Sequence, residues 1–146
     1  LSTIGGEITA VRVGMPEIAW TFQCDGNVWA SPVIFDGKVY IGDLSNKFYA
    51  LDLQDGSLIW SVTLSAPNIG SAAILEDGLA VATEDGTVVA LTTNGDKVWT
   101  RSIDGELYGS LVNYGEYLLV PATRGEVLLY ALDANGNDRW SLVAPK

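Results

Sequence analysis

Apolar residues fall along this chain in short unbroken runs, such as Val33-Ile34-Phe35, Val39-Tyr40-Ile41 and Leu118-Leu119-Val120, rather than in alternation with polar ones. Strands of that kind must be covered on both faces. Between the runs stand turn signals in a fixed order. Asp36-Gly37, Asp77-Gly78 and Tyr114-Gly115 come first, then Leu44-Ser45-Asn46, Asp85-Gly86 and Arg124-Gly125, then Asp55-Gly56, Asn94-Gly95 and Asn135-Gly136. Asp-Gly and Asn-Gly supply the positive φ that tight hairpins need. Three hairpins per unit predict four antiparallel strands, A to D, at residues 31–35, 38–42, 47–53 and 58–63 of the first full unit. Residues 126–134 are rich in helix formers. Their alignment with 47–53 and 87–92, which carry Tyr, Thr and Val, nevertheless predicts a strand.

The units repeat. Trp20, Trp60, Trp99 and Trp140 are spaced by 40, 39 and 41 residues, and Ser31, Ser71 and Ser110 keep the same beat, as do Ala10, Ala50, Ala90 and Ala131. A period near 40 marks a supersecondary unit that buries its faces only by stacking on its neighbours. Four-stranded sheets stacked face to face at that period predict an all-β propeller of antiparallel blades. Residues 7–11 and 17–22 align with strands C and D, so the expected inventory is a half-blade in 1–23 and blades in 24–63, 64–102 and 103–146. About three and a half blades cannot close a ring of 4 to 8, which implies a larger propeller or assembly and leaves 7–11 as an edge in need of pairing.

The segment Ala50-Leu51-Asp52-Leu53-Gln54-Asp55-Gly56-Ser57-Leu58-Ile59-Trp60 resembles the tryptophan-docking motif of pyrroloquinoline-quinone-like propeller repeats, Ala-x-Asp-x-x-Thr-Gly-x-x-x-Trp, with Asp55 in place of Thr. A third copy keeps Ala131, Asp133, Gly136 and Trp140, and the second keeps Ala90, Gly95 and Trp99 with Thr92 for the Asp. Ser31-Pro32 also looks like the family's strand opening. WD40 blades are excluded, because the chain has no His for their Gly-His pair. The resemblance implies that Trp20, Trp60, Trp99 and Trp140 sit between blades over the Ala and Gly of an adjacent motif. Ala50, Gly56, Asp52 and Asp133 are then docking residues rather than chemistry. The family also includes quinone-dependent dehydrogenases, which would imply a quinone, calcium, a carboxylate base and usually adjacent cysteines. This chain has Cys24 alone, and a small buried thiol at a strand end is the expected state.

Composition narrows the chemistry further. A net charge of −10 and a pI near 4.1 oppose nucleic-acid phosphates and anionic lipid heads. No apolar run reaches the roughly 20 residues of a membrane span. Without His, the commonest general base and metal ligand is missing, so no catalytic residue, cofactor or metal is assigned. Asp133-x-Asn135-x-Asn137 imitates the start of a calcium loop, but Asp138 and Ala144 stand where that loop needs Gly and Glu. A hairpin accounts for it.

Strand order places the D-to-A and B-to-C loops on one face, where binding on a rigid scaffold usually lives. Candidate partner- or ligand-contacting residues there are Trp29, Asn68, Ile69, Tyr108, Asp25, Asp43, Asp104 and Arg124. Trp29, Ile69 and Tyr108 occupy equivalent positions and either ring the mouth of a central channel or, as aromatics in such repeats mostly do, plug the core between blades. The acids of this face are expected to be solvated. The expected function is a non-catalytic propeller segment outside the cytoplasm that serves as a protein-interaction scaffold. The rivals are a fragment of a quinone-dependent dehydrogenase and a small-ligand or glycan binder using Trp29 and Tyr108.

Overall fold

The computed structural model describes residues 1–2 and 4–145. They form fourteen strands and no helix. β1 (Glu7–Val11) and β2 (Ile18–Gln23) make a two-stranded sheet. Three four-stranded antiparallel sheets follow, each in the order of its sequence. The first holds β3 (Val33–Phe35), β4 (Lys38–Gly42), β5 (Lys47–Asp52) and β6 (Leu58–Thr63). The second holds β7 (Ala73–Leu75), β8 (Gly78–Ala82), β9 (Thr87–Thr92) and β10 (Lys97–Ser102). The third holds β11 (Val112–Tyr114), β12 (Tyr117–Pro121), β13 (Val127–Leu132) and β14 (Asp138–Val143). The helix-prone stretch is therefore strand β13, as its place in the repeat predicts. This is the all-β propeller architecture, with three blades and part of a fourth.

Cores lie between sheets, not within one. Tyr40, Phe48 and Ala50 of the first blade meet Leu79, Val81 and Val89 of the second. Ala80 and Val88 of the second meet Leu118 and Val120 of the third. Unbroken apolar runs result because β4, β5, β8 and β9 are covered on both faces, whereas the outer strands β6 and β10 alternate between exposed and half-buried positions.

Each joint is closed by one tryptophan. The indole Nε1 of Trp20 donates to the Leu53 carbonyl at 3.0 Å, that of Trp60 to Thr93 at 3.0 Å, and that of Trp99 to Ala134 at 2.8 Å. The rings lie on Gly56, Gly95 and Gly136. A Cβ at Gly56 would come within 2.5 Å of the Trp20 ring, so glycine is required there by contact as well as by its φ of +73°. Trp140 has no such acceptor among the described residues and is 44% exposed. The motif carboxylates serve their own turns: Asp52 Oδ1 accepts the Gln54 and Asp55 amides, and Asp133 Oδ1 accepts those of Asn135 and Asn137. In the second blade Thr92 Oγ1 does the same for Asn94 and Asp96. These are side-chain-capped turns.

The expected bare edge at 7–11 is partly covered. Ser2 bridges Ile8, and the Thr9 amide donates to the Leu1 carbonyl at 2.8 Å. One full period later Gly42 pairs with Phe48 in the same way, so Leu1 and Ser2 act as the end of a strand B.

Candidate functional site

The Leu53 amide donates to Gly37, joining the C-to-D and A-to-B turns on one side of the sheets. The D-to-A and B-to-C loops are joined on the other. There the backbone is stitched in a regular sequence: Leu44 donates to Asn27 and Asn68 to Asp43, then Glu84 to Pro67 and Leu107 to Glu84. Each D-to-A loop is thus held between the B-to-C turn of its own blade and that of the blade before. Such loops form a rigid face. The periodic serines add a second tie, the Ser31 amide donating to Ser71 Oγ at 3.2 Å and the Ser71 amide to Ser110 Oγ at 3.1 Å. Their period is visible in the sequence, but their role as links between successive inner strands is not.

Beneath this face lies a carboxylate that the sequence misplaces. Asp43, expected among solvated acids, is 0% exposed. It accepts hydrogen bonds from the backbone amides of Gly26 (2.9 Å), Ser45 (2.9 Å) and Lys47 (2.9 Å) and from the Tyr49 hydroxyl (2.8 Å). Four donors satisfy a buried anion that would otherwise be expensive to desolvate. The Tyr49 hydroxyl in turn accepts the Asp25 amide at 3.0 Å. Burial, opposed by that amide and reinforced by Asp43, raises the Tyr49 pKa. Equivalent positions hold Thr83, also buried, and Thr123.

Asn68 is also 0% exposed and is removed from direct contact with a partner. Its Nδ2 donates to the carbonyls of Gly70 (3.0 Å) and Ala82 (2.7 Å), and its side chain fills the space a Cβ on Gly42 would need. The plug between blades is therefore Val28, Asn68 and Leu107, one residue before the aromatic positions. That shift frees the next residue. Trp29 is 61% exposed, Ile69 is half-buried and Tyr108 is 38% exposed, so Trp29 and Tyr108 do not serve as packing.

The exposed candidates gather in two groups. Asp25 pairs with Lys47, whose ammonium is held protonated above its ordinary range by that carboxylate. The single Tyr108 hydroxyl proton lies between two carboxylates, Glu106 at 2.6 Å and Glu84 at 3.1 Å, and Arg124 pairs with Glu106 at 3.1 Å. The bond to Glu106, then burial and Glu84, push the Tyr108 hydroxyl up to about 12. Arg124 reaches Glu106 from a turn with φ of +60°. Asp104 is exposed and uses its carbonyl to accept the Tyr130 hydroxyl at 3.4 Å.

Cys24 is buried where later blades carry Leu64 and Ile103. Burial, then Asp43 and Asp25, push its thiol from 9.0 up to about 12. Folding therefore favours the protonated thiol, a contribution complete below 9.0 and lost as pH rises toward about 12. In urea melts at a series of alkaline pH values, Cys24→Ala is expected to lose stability less steeply than the parent chain, and identical pH profiles would contradict this.

The arrangement consists of fixed loops, exposed aromatic edges and ion pairs around a buried brace. Among the described residues no group of three His, Cys, Asp or Glu side chains is placed to hold a metal ion.

Comparison with known proteins agrees with this architecture. Outer membrane protein assembly factor BamB of Shewanella oneidensis is 27% identical over 144 residues, which cover 92% of this chain and 36% of that protein. The crystal structure of BamB from Moraxella catarrhalis superposes with a TM-score of 0.82 at 26% identity, over 97% of this chain and 44% of that one. A quinohemoprotein alcohol dehydrogenase of Pseudomonas putida is 38% identical, but over 56 residues, 37% of this chain and 8% of the enzyme. The chain thus spans about a third of the length of the BamB relative. The family model described as outer membrane protein assembly factor BamB matches residues 5–146, and the chain belongs to that family.

Proposed function

We propose that this chain is a non-catalytic segment of a larger propeller that works outside the cytoplasm as a protein-interaction scaffold in the assembly of outer membrane proteins. The observation that carries this reading is the stitched loop face, which exposes Trp29 and Tyr108 and carries ion pairs at Asp25 and Arg124. Aromatic residues and polar partners on one face are the composition that protein interfaces draw on. Similarity to BamB proteins along almost the whole chain supports the assembly role. Further blades would cover Trp140, Leu142 and Tyr114, all exposed on the third blade. Asn68 and Asp43 act below the contact surface by holding its loops.

The dehydrogenase alternative draws on the short enzyme match. The residues here fit its quinone and calcium poorly. Asp43 already accepts four hydrogen bonds, Asp52 and Asp133 are engaged by their own turns, and Cys24 is buried and alone. Photo-crosslinkers placed at positions 29 and 108 are expected to capture an envelope assembly protein, while positions 55 and 94 on the opposite turns capture none. Adducts confined to 55 and 94, or dye reduction by the chain after loading with quinone and calcium, would overturn the reading.

A further inference from the structure

On the side opposite the loop face, the joint between the second and third blades opens into a cleft of about 460 Å³. Leu75 and Leu118 line it, together with the turns bearing Glu76 and Glu116 and with Arg139 and Asn113. A hollow of about 210 Å³ adjoins it at Leu75 and Glu76 and reaches the Trp99 indole.

The repeat allows this joint to be compared with its neighbour position by position. Between the first and second blades, Phe35 and Ile74 pack against the core. Strand registers match these with Leu75 and Asn113 at the second joint. The residue before the docking tryptophan is Ile59 or Val98 in the earlier blades and Arg139 here. One joint has thus lost an aromatic ring and gained an amide and a guanidinium. Asn113 Nδ2 donates to the Ile74 carbonyl at 2.7 Å, which orients the amide at the cleft wall. The Asp133 carboxylate belongs to its turn. Arg139 feels the Asp133 carboxylate electrostatically without forming an ion pair with it, and no hydrogen bond or ion pair is formed by Glu76 or Glu116 among the described residues.

We propose that this cleft binds a small basic zwitterion, a lysine-type dipeptide, with its carboxylate on Arg139, its ammonium groups on Glu76 and Glu116, and its methylenes on Leu75 and Leu118. The volume lies within the ~300–1,000 Å³ of small-ligand sites. Guanidinium is the side chain best shaped for a carboxylate, and the excess of carboxylates around it selects a ligand with net positive charge.

The full chain is titrated with glycyl-lysine by calorimetry and by tryptophan fluorescence, Trp99 in the adjoining hollow being the nearby reporter. Saturable binding is expected. Lysinamide, which lacks the carboxylate, should bind about tenfold or more weakly, and Arg139→Val should weaken glycyl-lysine to a similar degree with an unchanged urea midpoint. Asn113→Ile, which restores the first joint's residue, supplies a second variant should Arg139→Val fold poorly. N-acetylglycyl-lysine, which lacks one of the two ammonium groups, should also bind more weakly, and equal affinity would overturn the placement of an ammonium on each glutamate. The proposal is overturned if glycyl-lysine shows no saturation well above about 1 mM, or if lysinamide or both folded variants bind as the parent pair does.

Discussion

Trp60→Ala is expected to destabilise the fold by about 3–5 kcal/mol, whereas Trp29→Ala should cost less than about 1 kcal/mol. Trp60 closes the joint between the first two blades. Its ring lies against Gly95, with the centroids of Tyr40 and Phe48 at 5.9 Å and 6.3 Å, and its indole N–H reaches Thr93. Removing it deletes buried area, two aromatic contacts and a hydrogen bond at once. A glycine platform cannot collapse into the gap, because its backbone is pinned by the turn. Trp29 is mostly in water and loses little on truncation. Urea melts of the two variants decide the matter, and equal losses would show that the periodic tryptophans are not the scaffold.

The second large effect is expected at Asp43. Asp43→Ala leaves the buried Tyr49 hydroxyl and three part-buried amides without their acceptor, and an unmet buried donor costs about 1–3 kcal/mol. A loss of about 3 kcal/mol or more is expected after partial relaxation. The second blade shows another solution in the same place, where Thr83 Oγ1 donates to Asp85 Oδ1 at 2.7 Å and Asp85 Oδ1 accepts the Thr87 amide at 3.1 Å. Transplanting it by Asp43→Thr with Ser45→Asp should recover part of the loss. If the double variant melts no higher than Asp43→Ala, the carboxylate is not acting as the local hydrogen-bond hub.

These two residues mark what the sequence discloses and what it conceals. Trp60 is legible because packing between identical units leaves a period, and the Asp-Gly and Asn-Gly turns are legible because positive φ restricts residue choice. The strands accordingly lie close to their predicted bounds, β4 and β6 coinciding with them. Asp43 is concealed because a carboxylate is normally solvated, and its four donors come from two separated stretches, at residue 26 and at residues 45 to 49. Trp29 and Tyr108 share a register that suggests packing. In a loop without strict alternation, however, nothing in the sequence tells which of two consecutive positions faces inward. Val28 and Leu107 took the inner place. The cleft at Arg139 was equally hidden, since it arises from differences between repeats at three positions that meet only after stacking.

The tryptophan bonds run one way along the chain. Each indole is met by a carbonyl 33 to 35 residues further on, never by one already passed. During synthesis a blade therefore waits, with its tryptophan still in water, until the next unit has left the ribosome, at about 5–20 residues per second. Folding of this array acquires a direction from N- to C-terminus, with one unsatisfied indole at the growing end at every stage. Trp140 stands in that position here, 44% exposed and without a carbonyl acceptor among the described residues.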